Sequence, residues 1–216
     1  MIINILSVVV LIKQDVVLNV SSSLNGYFDP ELDLFRNSLN LDRVHQLRIN
    51  SDIILTSSKH VRLNDPLFKA SARDFTARIV IVDPQAETPP ASKVFKTCGK
   101  VTVAVSKQAP QSRLDKLMDS CDVEILPFGD LTVNLEGLLL DLAKRGKNRV
   151  LVEACAQLSS RLLNKKLVDE LFHAVFPTII STGYPVFADI EDAVGFELRG
   201  ITQFGDILVN HYHVKP

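Results

Sequence analysis

Six short apolar runs, rich in valine and isoleucine, decide what this chain can become. They fall at about residues 16–20, 53–55, 77–82, 101–105, 123–126 and 150–152. Runs this brief and this continuous suit strands buried on both faces, because a half-exposed strand would alternate and a helix would need roughly ten residues or more. Between the later runs the period changes. Leu114, Leu117, Met118 and Cys121 stand at helical spacing, as do Leu135, Leu138, Leu139 and Leu142, so each set marks the buried face of one helix. Shorter helices are expected over about 39–49, with Leu41, Val44 and Leu47 inward, and over about 159–164. A further strand is expected at 171–176, and residues 196–203 with 206–213 read as a hairpin around Phe204 and Gly205. Strands alternating with helices imply an α/β fold, with a mostly parallel central sheet covered by helices and an antiparallel C-terminal hairpin. The loop at 85–92, QAETPPAS, has the composition of a linker but is too short to divide domains, so residues 15–216 are expected to form one domain.

With 24 Lys and Arg against 25 Asp and Glu, the 216-residue chain has a formal net charge of −1 and no cationic surplus to neutralise a nucleic-acid backbone. Its three cysteines, Cys98, Cys121 and Cys155, are an odd number at wide spacing. That argues against a disulfide framework or a zinc knuckle, and for a reducing, cytoplasmic setting. Residues 1–12 are mostly apolar but too few to span a bilayer, and they lack the basic start and cleavage site of a signal peptide. Residues 1–14 are therefore read as an N-terminal extension, either an extra strand or a product of start-site choice, and no membrane attachment is expected.

No P-loop, G-x-G-x-x-G, H-E-x-x-H or G-x-S-x-G pattern is present. What remains is polar residues at strand ends, where open α/β sheets bind ligands. Glu153 closes the run at 150–152 and either accepts hydrogen bonds from a ligand or caps the helix that follows. Arg48, one turn after His45, either forks onto a phosphate or is a solvated helix end. The polar loop at 56–60, TSSKH, followed by Asn64, Asp65 and Pro66, either meets an anion or is only a turn. His211 and His213 alternate along the last strand and face one side, which suits a metal or a polar sheet face.

Taken in order, six segments resemble the reductase domain of riboflavin biosynthesis, which has the three-layer dihydrofolate-reductase-like fold. They are LNVSSSLNG at 18–26, RVHQLRINSDIIL at 43–55, LNDPLF at 63–68, ARIVIVD at 77–83, RVLVEACAQL at 149–158 and LVDELFHAVFPTII at 167–180. The resemblance implies hydride transfer from NADPH to C1′ of a ribosylaminopyrimidine 5′-phosphate, and a homodimer. The chain has no H-x-E with P-C-x-x-C, the mark of the zinc deaminase that precedes the reductase in the bifunctional bacterial form. It is thus similar to the stand-alone archaeal and fungal type, whose substrate is 2,5-diamino-6-ribosylamino-4(3H)-pyrimidinone 5′-phosphate. By the same resemblance Arg48 matches the arginine facing substrate phosphate. Glu153 matches the glutamate before the glycine-rich turn, placed to orient the sugar or the cofactor amide. Asp65 and Pro66 match the end of an Asp-Asp-Pro motif.

The departures from the family pattern concentrate at the expected site. Ser57, Ser58, Lys59 and His60 stand where Gly-x-Gly-Thr is usual, and Ala154 and Cys155 follow Glu153 where two glycines are usual. Asn25 and Asn64 replace aspartates, and Tyr27 replaces a lysine. The resemblance assigns Glu153 to catalysis, Asn25, Arg48, Asn64 and Asp65 to the substrate, and Ser57, Lys59, His60, Ala154, Cys155 and Ala156 to the cofactor. Side chains in place of glycines are expected to obstruct the dinucleotide, at roughly 1–2 kcal/mol for each left-handed residue, with Lys59 and His60 adding compensating positive charge. The same departures leave open a non-catalytic or re-purposed relative that binds a nucleotide-like ligand or a partner chain. A reductase acting on a pterin or a nitro compound is the third reading.

Overall fold

The computed structural model describes residues 14–32, 35, 37–68, 77–97 and 101–215, so the N-terminal extension up to residue 13 and Cys98 lie outside the described residues. In chain order the elements are β1 (Asp15–Ser23), β2 (Tyr27–Phe28), α1 (Ser38–Ile49), β3 (Ile53–Ser57), α2 (Ser58–Asn64), β4 (Arg78–Val82), α3 (Val94–Thr97), β5 (Val101–Val105), α4 (Gln111–Ser120), β6 (Val123–Pro127), α5 (Leu135–Lys144), β7 (Arg149–Val152), α6 (Ala156–Asn164), β8 (Glu170–Phe176), β9 (Tyr184–Pro185), β10 (Phe196–Phe204) and β11 (Ile207–Val214). All six valine-rich runs are strands, and five are largely buried as expected, but β6 is only half-buried because it lies at the edge of the sheet. They join β8, β10 and β11 in one nine-stranded sheet of order β10-β11-β8-β1-β7-β3-β4-β5-β6. Every pairing from β8 to β6 is parallel, and β11 runs antiparallel to both β8 and β10.

Alternate side chains of the central strands feed two cores. On one face Leu55, Val80 and Val152 pack with Leu135, Leu138 and Leu142 of α5 and with Leu158 and Leu162 of α6. On the other, Ile54, Ile79 and Ile81 meet Val61 of α2, Phe68 and Val94 of α3. Helices thus cover both faces, giving three layers. The hairpin β10–β11 turns at Gly205, whose φ of 60° is the left-handed backbone that a tight connection requires.

Several local expectations need correcting. In α1 only Asn40 and Val44 are buried, while Leu41 is exposed where it borders a cleft. Met118 of α4 is also exposed, because α4 covers the outlying strands β5 and β6 with Leu117 buried at the contact and Leu114 packed beside it. The polar loop expected at 56–60 is instead the end of β3 and the first turn of α2, with Ser57 Oγ accepting from His60 N at 3.2 Å as the helix cap. Helix α6 begins at Ala156, ahead of the expected start.

Candidate functional site

Parallel strands carry their C-terminal ends to one side of the sheet, and there β1, β7, α1 and α2 enclose a cleft of about 300 Å³. Its walls include Val44, Arg48, His60, Glu153, Tyr184 and Pro185. A second groove of about 380 Å³ runs on from it toward α6, bordered by Ser57, Lys59, Pro84, Cys155 and Arg161. Lys59, Cys155 and Gln157 line both, so the two hollows are contiguous.

Glu153 follows β7, with its backbone N–H donating to Leu55 O at 3.0 Å, and its carboxylate turns into the cleft wall. Arg48 Nε and Nη2 donate to its two oxygens at 2.7 and 2.8 Å, a bidentate pair in which both side chains are nearly buried. The Phe68 ring lies 5.4 Å from the Arg48 guanidinium carbon. Burial by itself would raise the Glu153 carboxyl, but Arg48, then His60 and Arg43, hold it below the usual carboxylate range. Glu153 is therefore not the cap of the following helix. The residue at the cap of α6 is Cys155, and no side chain bonds to the first-turn N–H groups from that position.

His60 sits in α2 with its ring stacked against Phe68 at 6.2 Å. Burial pushes its pKa down to about 4, with Glu153 opposing and Arg48 reinforcing the shift. The imidazole is thus neutral at neutral pH, and of the pair expected to bring charge only Lys59 does. Asn64 Nδ2 approaches both His60 Nδ1 and His60 O at 3.3 Å. Sequence reasoning did not single out Arg43. Its Nε and Nη2 donate to Asn40 Oδ1 and its Nη1 to Asn19 Oδ1, which lines the cleft. Burial lowers the Arg43 pKa to about 10, with Glu153 opposing. The i, i+3 spacing of Asn40 and Arg43 was a usable signal for this buried contact.

The remaining expected residues divide. Ala154, Cys155 and Ala156 border the cleft. Burial raises the Cys155 thiol, with Lys59 and Ser57 opposing. Asn25 instead ties the turn after β1 to the segment after β8, donating to Ile180 O at 2.9 Å and accepting from Ser23 Oγ at 2.8 Å. Asp65 accepts from Lys93 N at 2.8 Å and pairs with its ammonium at 3.2 Å, and neither Asn25 nor Asp65 lines the cleft. The strain expected from the missing glycines does not arise. The positive-φ residues with side chains are Asp65, Phe68, Ala86, Lys166 and Asp189, so none of Ser57–His60 or Ala154–Ala156 is left-handed among the described residues. Backbone that enters a helix directly needs no glycine. His211 stacks on Phe172 at 4.2 Å and lies 3.3 Å from Glu170, and no group of His, Cys, Asp or Glu suited to a metal occurs among the described residues. No described helix is long and apolar enough to cross a membrane.

The sequence profile of the RibD C-terminal domain matches residues 14–209. The 2,5-diamino-6-ribosylamino-4(3H)-pyrimidinone 5′-phosphate reductase of Methanothermobacter thermautotrophicus is 29% identical over 187 residues, covering 81% of this chain and 85% of that protein. The protein of the same name from Archaeoglobus fulgidus is 28% identical over 170 residues, covering 72% and 77%. Among solved structures, Acinetobacter baumannii RibD superposes with a TM-score of 0.78 at 24% identity, a likeness that speaks to the fold alone. The match covers 95% of this chain but only 59% of that longer one.

Proposed function

This chain belongs to the RibD C-terminal domain family, and from that premise we propose that it reduces the ribose of 2,5-diamino-6-ribosylamino-4(3H)-pyrimidinone 5′-phosphate, with NADPH as hydride donor, in riboflavin biosynthesis. The observation that carries the reading is the buried Glu153–Arg48 pair at the wall of a cleft that opens into a second groove. One hollow suits a substituted pyrimidine and the other a dinucleotide. The residues present fit the cofactor: Lys59 and Arg161 bring positive charge, and the first turn of α6 offers N–H groups with no side-chain cap. What NADPH supplies when bound is a hydride for the sugar carbon.

The protein's own part is positioning. Val44, Tyr184 and Pro185 give the cleft apolar walls for a flat heterocycle. Arg48 is assigned to the substrate phosphate while remaining clamped by Glu153, so the carboxylate fixes the angle at which the guanidinium faces the cleft. Asn64 and His60 supply polar contacts from α2. The non-catalytic reading drew its weight from the lost glycines and the exchanged residues Asn25, Tyr27 and Asn64, and of these grounds the backbone strain is absent, since no residue of either turn is left-handed. We further assign residues 15–216 to one domain and the protein to the cytoplasm as a homodimer, a state that sedimentation measures directly. The test of function is turnover: purified protein given the pyrimidine phosphate and NADPH consumes reduced nicotinamide stoichiometrically with ribityl product. Absence of NADPH binding up to millimolar concentration would remove the proposal.

A further inference from the structure

Positions 60 and 64, two of those at which the chain departs from the family pattern, form one hydrogen-bonded unit. Asn64 Nδ2 lies 3.3 Å from the backbone oxygen of His60 and 3.3 Å from its Nδ1. A carbonyl oxygen can only accept, so the amide group facing it is the NH₂, and the orientation of Asn64 follows. The second N–H of that group then meets Nδ1, which must present a lone pair. In the neutral ring the proton is therefore on Nε2.

The ring is held in place by its neighbours. His60 N donates to Ser57 Oγ at 3.2 Å, and the imidazole lies against Phe68 with 29° between the planes. Among the described residues nothing bonds to Nε2. The side chain lines the main cleft and also a neighbouring hollow shared with Asp29 and Glu31. The charged groups around it are Glu153 and Arg48, which are engaged with each other. A ligand that reaches Nε2 from either hollow would meet an oriented, uncharged N–H donor.

We propose that His60, as a neutral imidazole protonated at Nε2, donates a hydrogen bond to an uncharged acceptor oxygen of the pyrimidine substrate, and that Asn64 is the positioning residue that fixes this tautomer. The proposal rests on the reductase reading and deepens it. A neutral donor suits a carbonyl or sugar oxygen, while a phosphate is better met by the cations Arg48 and Lys59. Burial, which holds the ring neutral well below neutral pH, supports the same role. A low imidazole pKa lets a histidine act as a hydrogen-bond donor without carrying charge.

The test combines a measurement that needs no turnover with one that separates the two ligands. Nitrogen-15 NMR of the imidazole at neutral pH should show Nε2 protonated and Nδ1 bare in the wild-type protein. In Asn64→Asp, whose carboxylate can only accept, the proton should move to Nδ1. Calorimetry should then show substrate affinity reduced roughly three- to tenfold in Asn64→Asp and in His60→Leu, the loss expected for one hydrogen bond, with NADPH affinity unchanged. A proton on Nδ1 in the wild type overturns the proposal, as does a loss confined to NADPH. Wild-type substrate binding that neither variant weakens overturns the donor role alone. No substrate binding by the wild type overturns the reductase reading and the donor role together.

Discussion

A carboxylate removed from water costs several kcal/mol unless it is paired and hydrogen-bonded, and Glu153 has its compensation in the two-point contact with Arg48. His60 beside it has no such partner and meets burial by staying neutral. Both folded-state pKa values lie below the unfolded ones, so both groups make the protein less stable in acid, in different windows. For His60 the unfolded chain binds its proton near 6.5 and the folded chain only near 4, and stability is lost as pH falls through that interval. The loss is on the order of 3 kcal/mol at most. Glu153 contributes only below its unfolded value of 4.5. His173, lowered by burial beside Ser22, adds to the earlier slope. Urea midpoints should therefore decline between pH 6.5 and 4, and His60→Leu should flatten part of that decline. A wild-type midpoint constant across the interval would refute the assignment.

At the scale of elements, the segment between β8 and β10 shapes the cleft and is tied down on both sides. Tyr184 and Pro185 of β9 form part of the wall, and Val186 N donates to Gly26 O at 3.1 Å. On the far side Ala188 N donates to Ser160 Oγ at 3.0 Å. Asn164 makes two bonds, donating to Asp189 O at 2.9 Å and accepting from Glu191 N at 3.2 Å. Asn164→Ala removes both, at roughly 1–2 kcal/mol of local stability, and amide exchange across 186–191 should rise while that of β3 and β7 stays protected. Unchanged exchange in that segment would show that the remaining ties suffice.

These elements also show what was legible beforehand. Valine-rich runs announce buried strands because burial on both faces leaves no polar alternation, and α5 was legible because Leu135, Leu138, Leu139 and Leu142 are all buried as their spacing requires. Helix α2 was not legible. Its seven residues, SKHVRLN, contain one fully buried apolar side chain, Val61, and its signals were only the Ser57 cap and Pro66 just beyond its end. The two-residue strands β2 and β9 are too short to carry a period. At the site, position was readable and partnership was not. The end of a strand marked Glu153, but its partner Arg48 lies 105 residues away, and nothing local encodes that meeting.

For the whole molecule the same distance becomes a constraint on folding. Strand β1 opens the described chain yet lies inside the sheet, between β7 and β8, with Asp15 beside Arg149 and Val17 beside Glu170. Even Gln14 donates to Lys147 O at 2.8 Å, across 133 residues. The side chains of Val16, Val17, Leu18 and Val20 are buried by those late strands and the helices over them. At roughly 1.5–3 kcal/mol each, their burial is comparable with the entire net stability of a typical domain, about 5–15 kcal/mol. A chain ended after Lys147 keeps β3 to β6 and α5 but leaves β1 without either neighbour, and the cleft without Glu153. It should show no cooperative thermal transition by circular dichroism and should be digested rapidly by protease, whereas the full chain resists. A soluble fragment with a sharp transition would mean that the β3–β6 half folds by itself. The late strands would then complete the site without being needed for the core.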